Sequence, residues 1–308
     1  MRQKRAIILS LFLCMFFEKL LSQNYIDLAN LFYTNTPLNQ FDSSLKKTRV
    51  QDLNFSLLVP FKLSEKTTLI SGIETEWMYA ALTPTGASGS VASIGAKIGL
   101  NMQLNEKWNG SAILIPKLAS DFKNPEGGIS SEDFQLGLFT MFKFSVRTDK
   151  KYKLGLYYNT ELFGPFISPI IGLYYKGKNG KTELDLSLPF LAEISYHFNS
   201  KIKVGSRFNA FVRTYHLHDP YYQVKGEYLA KTSNEIYGYF AIEPRKGLIL
   251  KLNLGYSVGR NYRLYDIEDK VAFGLSAFRF GDKRQQLNSD FADGMLFRID
   301  LIYRYYTQ

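Results

Sequence analysis

Cysteine is nearly absent from this 308-residue chain, occurring once, at Cys14, inside an N-terminal apolar run. Disulfide scaffolds, zinc–thiolate centres and cysteine nucleophiles are therefore excluded from everything that follows that run. Long hydrophobic stretches are also missing. Beyond residue 22 no segment approaches the ~20 apolar residues that a membrane-crossing helix requires, and the mean hydropathy is only −0.16. Proline is scarce, and no segment has helical periodicity. Aromatics run the other way, with 24 Phe and 21 Tyr. A chain rich in aromatics yet modest in hydropathy fits a β-barrel, which gives only alternate residues to lipid and so hides its hydrophobicity in the average.

The N-terminus reads as an export leader. Arg2, Lys4 and Arg5 precede an apolar run from Ala6 to Phe17, about twelve residues and too short to span a bilayer as a helix. Cleavage is expected near Ser22 or Gln23, giving a signal peptide over 1–22 and one barrel domain over 23–308. Phe12 and Leu13 are too large for a lipoprotein-type site, so Cys14 is not read as lipidated.

Alternation then carries the fold. In the last segment Phe297, Ile299, Leu301, Tyr303 and Tyr305 share one face, and Arg298, Asp300, Arg304 and Tyr306 the other, with Ile302 the single misfit. Strand geometry places such sets on opposite sides. An aromatic-ended strand at the C-terminus is also what the outer-membrane barrel-assembly machinery is thought to read. Residues 91–104 repeat the pattern without interruption: Ala92, Ile94, Ala96, Ile98, Leu100, Met102 and Leu104 oppose Ser93, Gly95, Lys97, Gly99, Asn101 and Gln103. Residues 248–259 do the same. Small residues interleaved with Lys and Asn suit a crowded polar barrel interior better than the wet face of a secreted β-sandwich, the runner-up architecture. Weaker strands are read at 25–34, 49–63, 67–80, 108–119, 132–147, 151–163, 166–177, 181–188, 190–198, 201–214 and 234–243.

The connections alternate in length. Short polar turns sit at 64–66, 105–107, 148–150, 178–180, 199–201 and 244–247, with Asn179-Gly180 the strongest hairpin signal. Longer Gly/Ser/Pro/Asp-rich loops are read at 35–48, 83–90, 120–131, 215–233 and 263–292. Gly164-Pro165-Phe166 breaks the rule as an abrupt turn, read as a tight hairpin anchored by aromatics. Short turns on one side and long loops on the other is the outer-membrane arrangement. The expectation is an all-β antiparallel transmembrane barrel of about 14 strands, within 12–16, with both termini periplasmic. Segments 221–231 and 270–280 are left open between strand and folded loop.

Four segments carry a resemblance: 116–121 (PKLASD), 161–166 (ELFGPF), 259–265 (GRNYRLY) and 290–294 (DFADG). They are similar to parts of an uncharacterised family of Gram-negative outer-membrane barrel proteins, a domain of unknown function, over essentially the whole mature chain. The resemblance implies fold and outer-membrane location and brings no catalytic residues. The closing strand departs from the usual pattern, since Thr307 and Gln308 follow the last aromatic.

Chemistry-bearing residues are few. His216-Leu217-His218-Asp219 concentrates metal-ligand types, and on a strand the two histidines would share a face. Next to Pro220-Tyr221-Tyr222 at a strand end, an interfacial aromatic rim is the simpler account, so no metal and no cofactor is assigned. Ser195 and His197 share a strand face, but no serine-centred motif accompanies them, and the chain is not read as an enzyme. The formal charge of +10 comes without a basic cluster interleaved with aromatics, so nucleic acid is not an expected partner. Outer-membrane lipids, the assembly machinery during biogenesis and a small solute are.

Alternation points Glu74, Glu76, Lys97, Lys143, Arg147, Lys153, Glu161, Glu183, Asp185, Arg207, Arg213, Lys251, Arg298, Asp300 and Arg304 into the lumen. Both signs are well represented, which favours paired ions and a narrow or plugged barrel over an open diffusion pore. The functional expectation is a narrow channel or transport-type barrel for an unidentified small solute. The alternative is a structural or binding barrel acting through loops 35–48, 215–233 and 263–292.

Overall fold

A computed structural model describes residues 25–41, 44–82, 88–124, 127–219, 221–222 and 226–306. The expected leader, Cys14, loop residues 83–87 and the Thr307-Gln308 overhang lie outside them. Sixteen strands run in chain order: β1 (Tyr25–Phe41), β2 (Ser44–Lys62), β3 (Thr67–Ala81), β4 (Ser88–Gln103), β5 (Trp108–Ser120), β6 (Phe134–Arg147), β7 (Lys150–Glu161) and β8 (Gly164–Lys176). They continue as β9 (Thr182–Leu188), β10 (Leu191–His197), β11 (Ile202–Leu217), β12 (Glu227–Arg245), β13 (Leu248–Asp266), β14 (Phe273–Leu275), β15 (Phe278–Phe280) and β16 (Met295–Tyr306). A 3-10 turn at Ser131–Asp133 is the helical element among the described residues.

Fourteen of these strands form one closed antiparallel barrel. Each strand from β1 to β12 pairs with its successor, β13 pairs with β16, and β16 returns to β1. Closure runs in register from Tyr25↔Tyr306 to Asn35↔Phe297, with a bulge between Asp27 and Ala29. A closed sheet leaves no backbone edge to lipid, which is what makes it a viable membrane-spanning structure without helices.

The two faces sort as period two requires. On β4, Ile94, Ile98, Leu100 and Met102 point outward, while Val91, Ser93 and Asn101 are buried inside. On β13, Leu252, Leu254 and Tyr256 are outward, against buried Lys251, Asn253 and Ser257. Aromatic pairs flank the aliphatic belt. Trp108–Phe144 and Tyr196–Phe198 lie toward the short-turn end, and Trp77–Tyr79 toward the long-loop end. Two aromatic bands around an aliphatic zone mark where membrane interfaces would meet the wall. Ile302, the misfit of the last strand, faces inward and packs with Tyr239, Ala241 and Ile249 in a small apolar cluster.

The long-loop end departs most from the sequence expectation. The segments read as loops at 35–48 and 215–233 are largely strand, since β1 runs to Phe41, β2 begins at Ser44, β11 reaches Leu217 and β12 begins at Glu227. The open segment 221–231 therefore belongs in part to β12, and 270–280 holds the β14–β15 hairpin. The tight connection exists, but its turn is Leu162-Phe163, and Gly164-Pro165-Phe166 already begins β8, with Phe163 and Phe166 packed edge-on at 6.3 Å.

A short hairpin shapes this end. β9 and β10 have seven residues each, so β8 above Ile171 and β11 above Asn209 lose their neighbours in the wall. Both edges find partners elsewhere at some positions, which offsets the cost of unpaired backbone polar groups. β8 takes β14 in parallel at Gly274↔Phe166 and Leu275↔Ile167. A Cβ at position 274 would lie 3.0 Å from the Phe166 ring and 3.3 Å from that of Phe163, so a larger residue there would need both rings to give by a few tenths of an ångström. β11 turns inward to β5, bridging His216↔Ser120, with Asp121 N–H donating to the His216 carbonyl at 3.0 Å. Thr214, Tyr215, His216 and Leu217 are consequently buried on both faces.

Candidate functional site

The lumen is the concave space that the fold creates, and it is lined by charge. Asp52 on β2, Glu76 on β3 and Lys231 on β12 converge at its centre. The Lys231 ammonium contacts the Asp52 carboxylate and donates to Glu76 at 2.8 Å. Arg213 lies 3.8 Å from the other side of Glu76. Lys97 pairs with Glu74 at 2.7 Å. Toward the short-turn end Glu193 gathers Lys251, Lys203 and Arg207 at 3.1, 3.6 and 3.9 Å and accepts a hydrogen bond from the Tyr239 hydroxyl. Lys153 contacts Asp185, and Glu183 meets the His197 ring and the Tyr25 hydroxyl. Arg298 and Asp300 pair at 2.6 Å, with the guanidinium stacked 3.5 Å from the Phe32 ring centre. Arg304 reaches Asp27 across the seam.

Three predicted residues stand differently. Arg147 sits at the short-turn rim, where it is largely exposed and bonded to Asp149 of its own turn, because the β6–β7 register shifts after Ser145. Glu161 is buried but is held by Asn159 and Thr214 through hydrogen bonds. Lys143 lies opposite Lys153 across β6 and β7. Ser195 is buried beside Glu193 and His197 on β10, and the His197 ring is engaged by Glu183.

Sequence reasoning missed Asp52, Glu193 and Lys231. The first two were accessible, since Asp52 shares the inner face of β2 with Asn54 and Ser56, and Glu193 that of β10 with Ser195 and His197. Lys231 fell in a segment read as loop. His216 and His218 come together as expected of one strand end, but the carboxylate they meet is Asp133, at 2.9 and 3.1 Å. Asp219 turns away to Lys123.

Between these charges lie adjoining cavities that share lining residues. One of about 320 Å³ is bounded by Asp52, Glu76, Arg213, Lys231 and Phe211. It shares Asn30, Leu191 and Arg207 with a second of about 200 Å³ near the short-turn end. It shares Phe190, Ala210, Phe211 and Arg213 with a third of about 380 Å³, whose wall includes Ile113, Ile115, Phe139 and Tyr157. Polar and apolar walls thus face one another. Toward the long-loop end Phe41, Val50, Met78, Tyr215, Leu217, Leu229 and Tyr262 are buried in one packed apolar cluster.

The closed 14-strand antiparallel barrel, with an apolar belt outside and ion pairs inside, is similar in fold to outer-membrane β-barrels. The chain is a member of the family described as Domain of unknown function (DUF6268), which it matches over residues 23–288. No curated protein sequence matches it. Among solved structures it is similar to the COG4313 outer membrane channel from Pseudomonas putida F1, with 9% identity, a TM-score of 0.49, and 94% of this chain and 98% of that one covered. It is also similar to the translocator domain of the autotransporter NalP from Neisseria meningitidis, with 11% identity, a TM-score of 0.39 and coverage of 98% and 96%. A TodX monoaromatic hydrocarbon channel mutant aligns with 11% identity, a TM-score of 0.40 and coverage of 91% and 90%. The likeness in each case is one of fold.

Proposed function

We propose that the protein is a narrow channel or transport-type barrel of a Gram-negative outer membrane, exported through a cleaved leader, that accepts an unidentified small solute in its lumen. The observation carrying this reading is the chain of cavities from the short-turn end to mid-barrel, where Lys231, Arg213, Asp52 and Glu76 face an apolar wall. Small-molecule sites combine such apolar lining with a few placed polar groups. Paired ions keep the passage narrow, so selective passage fits better than bulk diffusion. Lipid covers the outer belt, and the assembly machinery inserts the chain. Neither turnover nor a nucleic-acid partner enters this reading.

The packed cluster toward the long-loop end favours one competing reading, a structural or binding barrel that works through its loops without transport. Reconstitution in planar bilayers separates the two. Discrete conductance from the folded protein supports passage. A barrel that stays silent, both as wild type and with the cluster opened by Tyr215→Ala, supports the structural reading.

A further inference from the structure

We propose that Asp133, His216 and His218 bind one divalent transition-metal ion, best met by Zn²⁺, at the junction between the inward end of β11 and the β5–β6 connection. The three side chains come from two separate parts of the chain, 83 and 85 residues apart, and their ligand atoms all lie within 4.8 Å of one another. Asp133 Oδ1 is 2.9 Å from His216 Nδ1 and 3.1 Å from His218 Nε2. Ligands of a tetrahedral zinc with ~2.0 Å bonds sit about 3.3 Å apart, so the two carboxylate–imidazole edges would widen by a few tenths of an ångström, while the imidazole–imidazole edge, within 4.8 Å, would settle toward the same value.

The surroundings hold this geometry in place. Asp133 Oδ2 accepts the Ser130 backbone N–H at 2.8 Å. Asp121 Oδ1 and Oδ2 accept the backbone N–H groups of His218 and Asp219, and the His216 carbonyl is tied to Asp121 N–H. Ser130 Oγ stands 3.3 Å from His216 Nδ1, a further oxygen at the rim of the site. Such outer partners are what fix first-shell ligands.

Charge also calls for a cation. The Asp133 side chain is 1% exposed, and its ion-pair partners among the described residues are the two imidazoles alone. A buried carboxylate needs compensating positive charge, which a dication facing all three groups supplies. Two imidazoles with one carboxylate select a borderline ion over Mg²⁺ or Ca²⁺, which take oxygen donors. The bound ion would pin β11 to the β5–β6 connection. This inference concerns a loop-end site and does not depend on what the lumen carries.

The test uses the full barrel folded in detergent, stripped with chelator and titrated with Co²⁺ and Zn²⁺. One Co²⁺ per chain with a ligand-field spectrum, displaced by Zn²⁺, is expected. Asp133→Asn, His216→Gln and His218→Gln should each weaken binding at least ~10-fold, and His197→Gln should not. Absence of stoichiometric binding by the wild type, or unaltered binding in all three variants, overturns the proposal and leaves a hydrogen-bonded cluster. Heat-modifiable migration checks folding. If the variants misfold, the wild type still decides. Zn²⁺ should shield His216 and His218, but not His197, from diethyl pyrocarbonate, and equal modification with and without Zn²⁺ overturns the proposal.

Discussion

Arg304 on the last strand and Asp27 on the first form a two-pronged ion pair, with N–O distances of 2.6 and 3.0 Å, across the seam that closes the barrel. The guanidinium also lies 3.6 Å from the Tyr25 ring centre. The first and last strands of the barrel are thus joined by side chains as well as by their backbone ladder. Arg304→Ala should lower the unfolding free energy of the folded barrel by ~2 kcal/mol, because the half-buried Asp27 carboxylate then lacks its partner. Urea titration monitored by heat-modifiable migration reads this. Deleting residues 297–308 removes the closing ladder and should abolish assembly, leaving protease-sensitive material. A truncated chain that still inserts would show that β16 is dispensable for closure.

The centre of the lumen makes a sharper electrostatic prediction. Lys231 is the ion-pair partner that Asp52 and Glu76 share. Lys231→Met leaves two buried carboxylates facing each other and should cost ~3–5 kcal/mol. Adding Asp52→Asn and Glu76→Gln should restore most of that loss. Failure of the triple variant to recover would mean that Lys231 acts through packing, for instance against the Phe211 ring 5.2 Å away.

On the outer face, Ile98 is 54% exposed midway along β4, within the aliphatic belt. Ile98→Lys should destabilise the barrel by ~2–4 kcal/mol if that belt meets the bilayer midplane. Stability in lipid vesicles that is unchanged by this substitution would argue against a membrane-embedded wall.

The β14–β15 hairpin stands in for a missing piece of wall beside β8. Its two outer rings, Phe273 and Phe280, stack at 4.6 Å. Replacing residues 273–280 by a Gly/Ser linker should uncover the β8 edge around Phe166 and Ile167. The expected result is edge-to-edge association, read as dimers in chemical cross-linking and light scattering. A variant that remains monomeric would show that the β8 edge is protected by other means.

Alternation is a local property, and the features that rest on it were legible in the residues: the all-β class, the strand count, the outer belt of 92–104 and the closing pair of strands. The long-loop end was not legible, because its strands are covered on both sides. The Tyr228-Leu229-Ala230 run of β12 and the Thr214–Leu217 end of β11 are buried on both faces, and a strand covered on both faces has no reason to alternate. A bulge adds to this. At Gly259, with φ +68°, the inward positions shift from Ser257 to Arg260, Tyr262 and Leu264, a change of parity that any fixed period misses. The meeting of Asp133 with His216 and His218, and of Lys231 with Asp52, was decided only by the tertiary structure. Those partners lie far apart along the chain and are brought together by the truncated β9–β10 hairpin, the inward turn of β11 and the closure of the barrel.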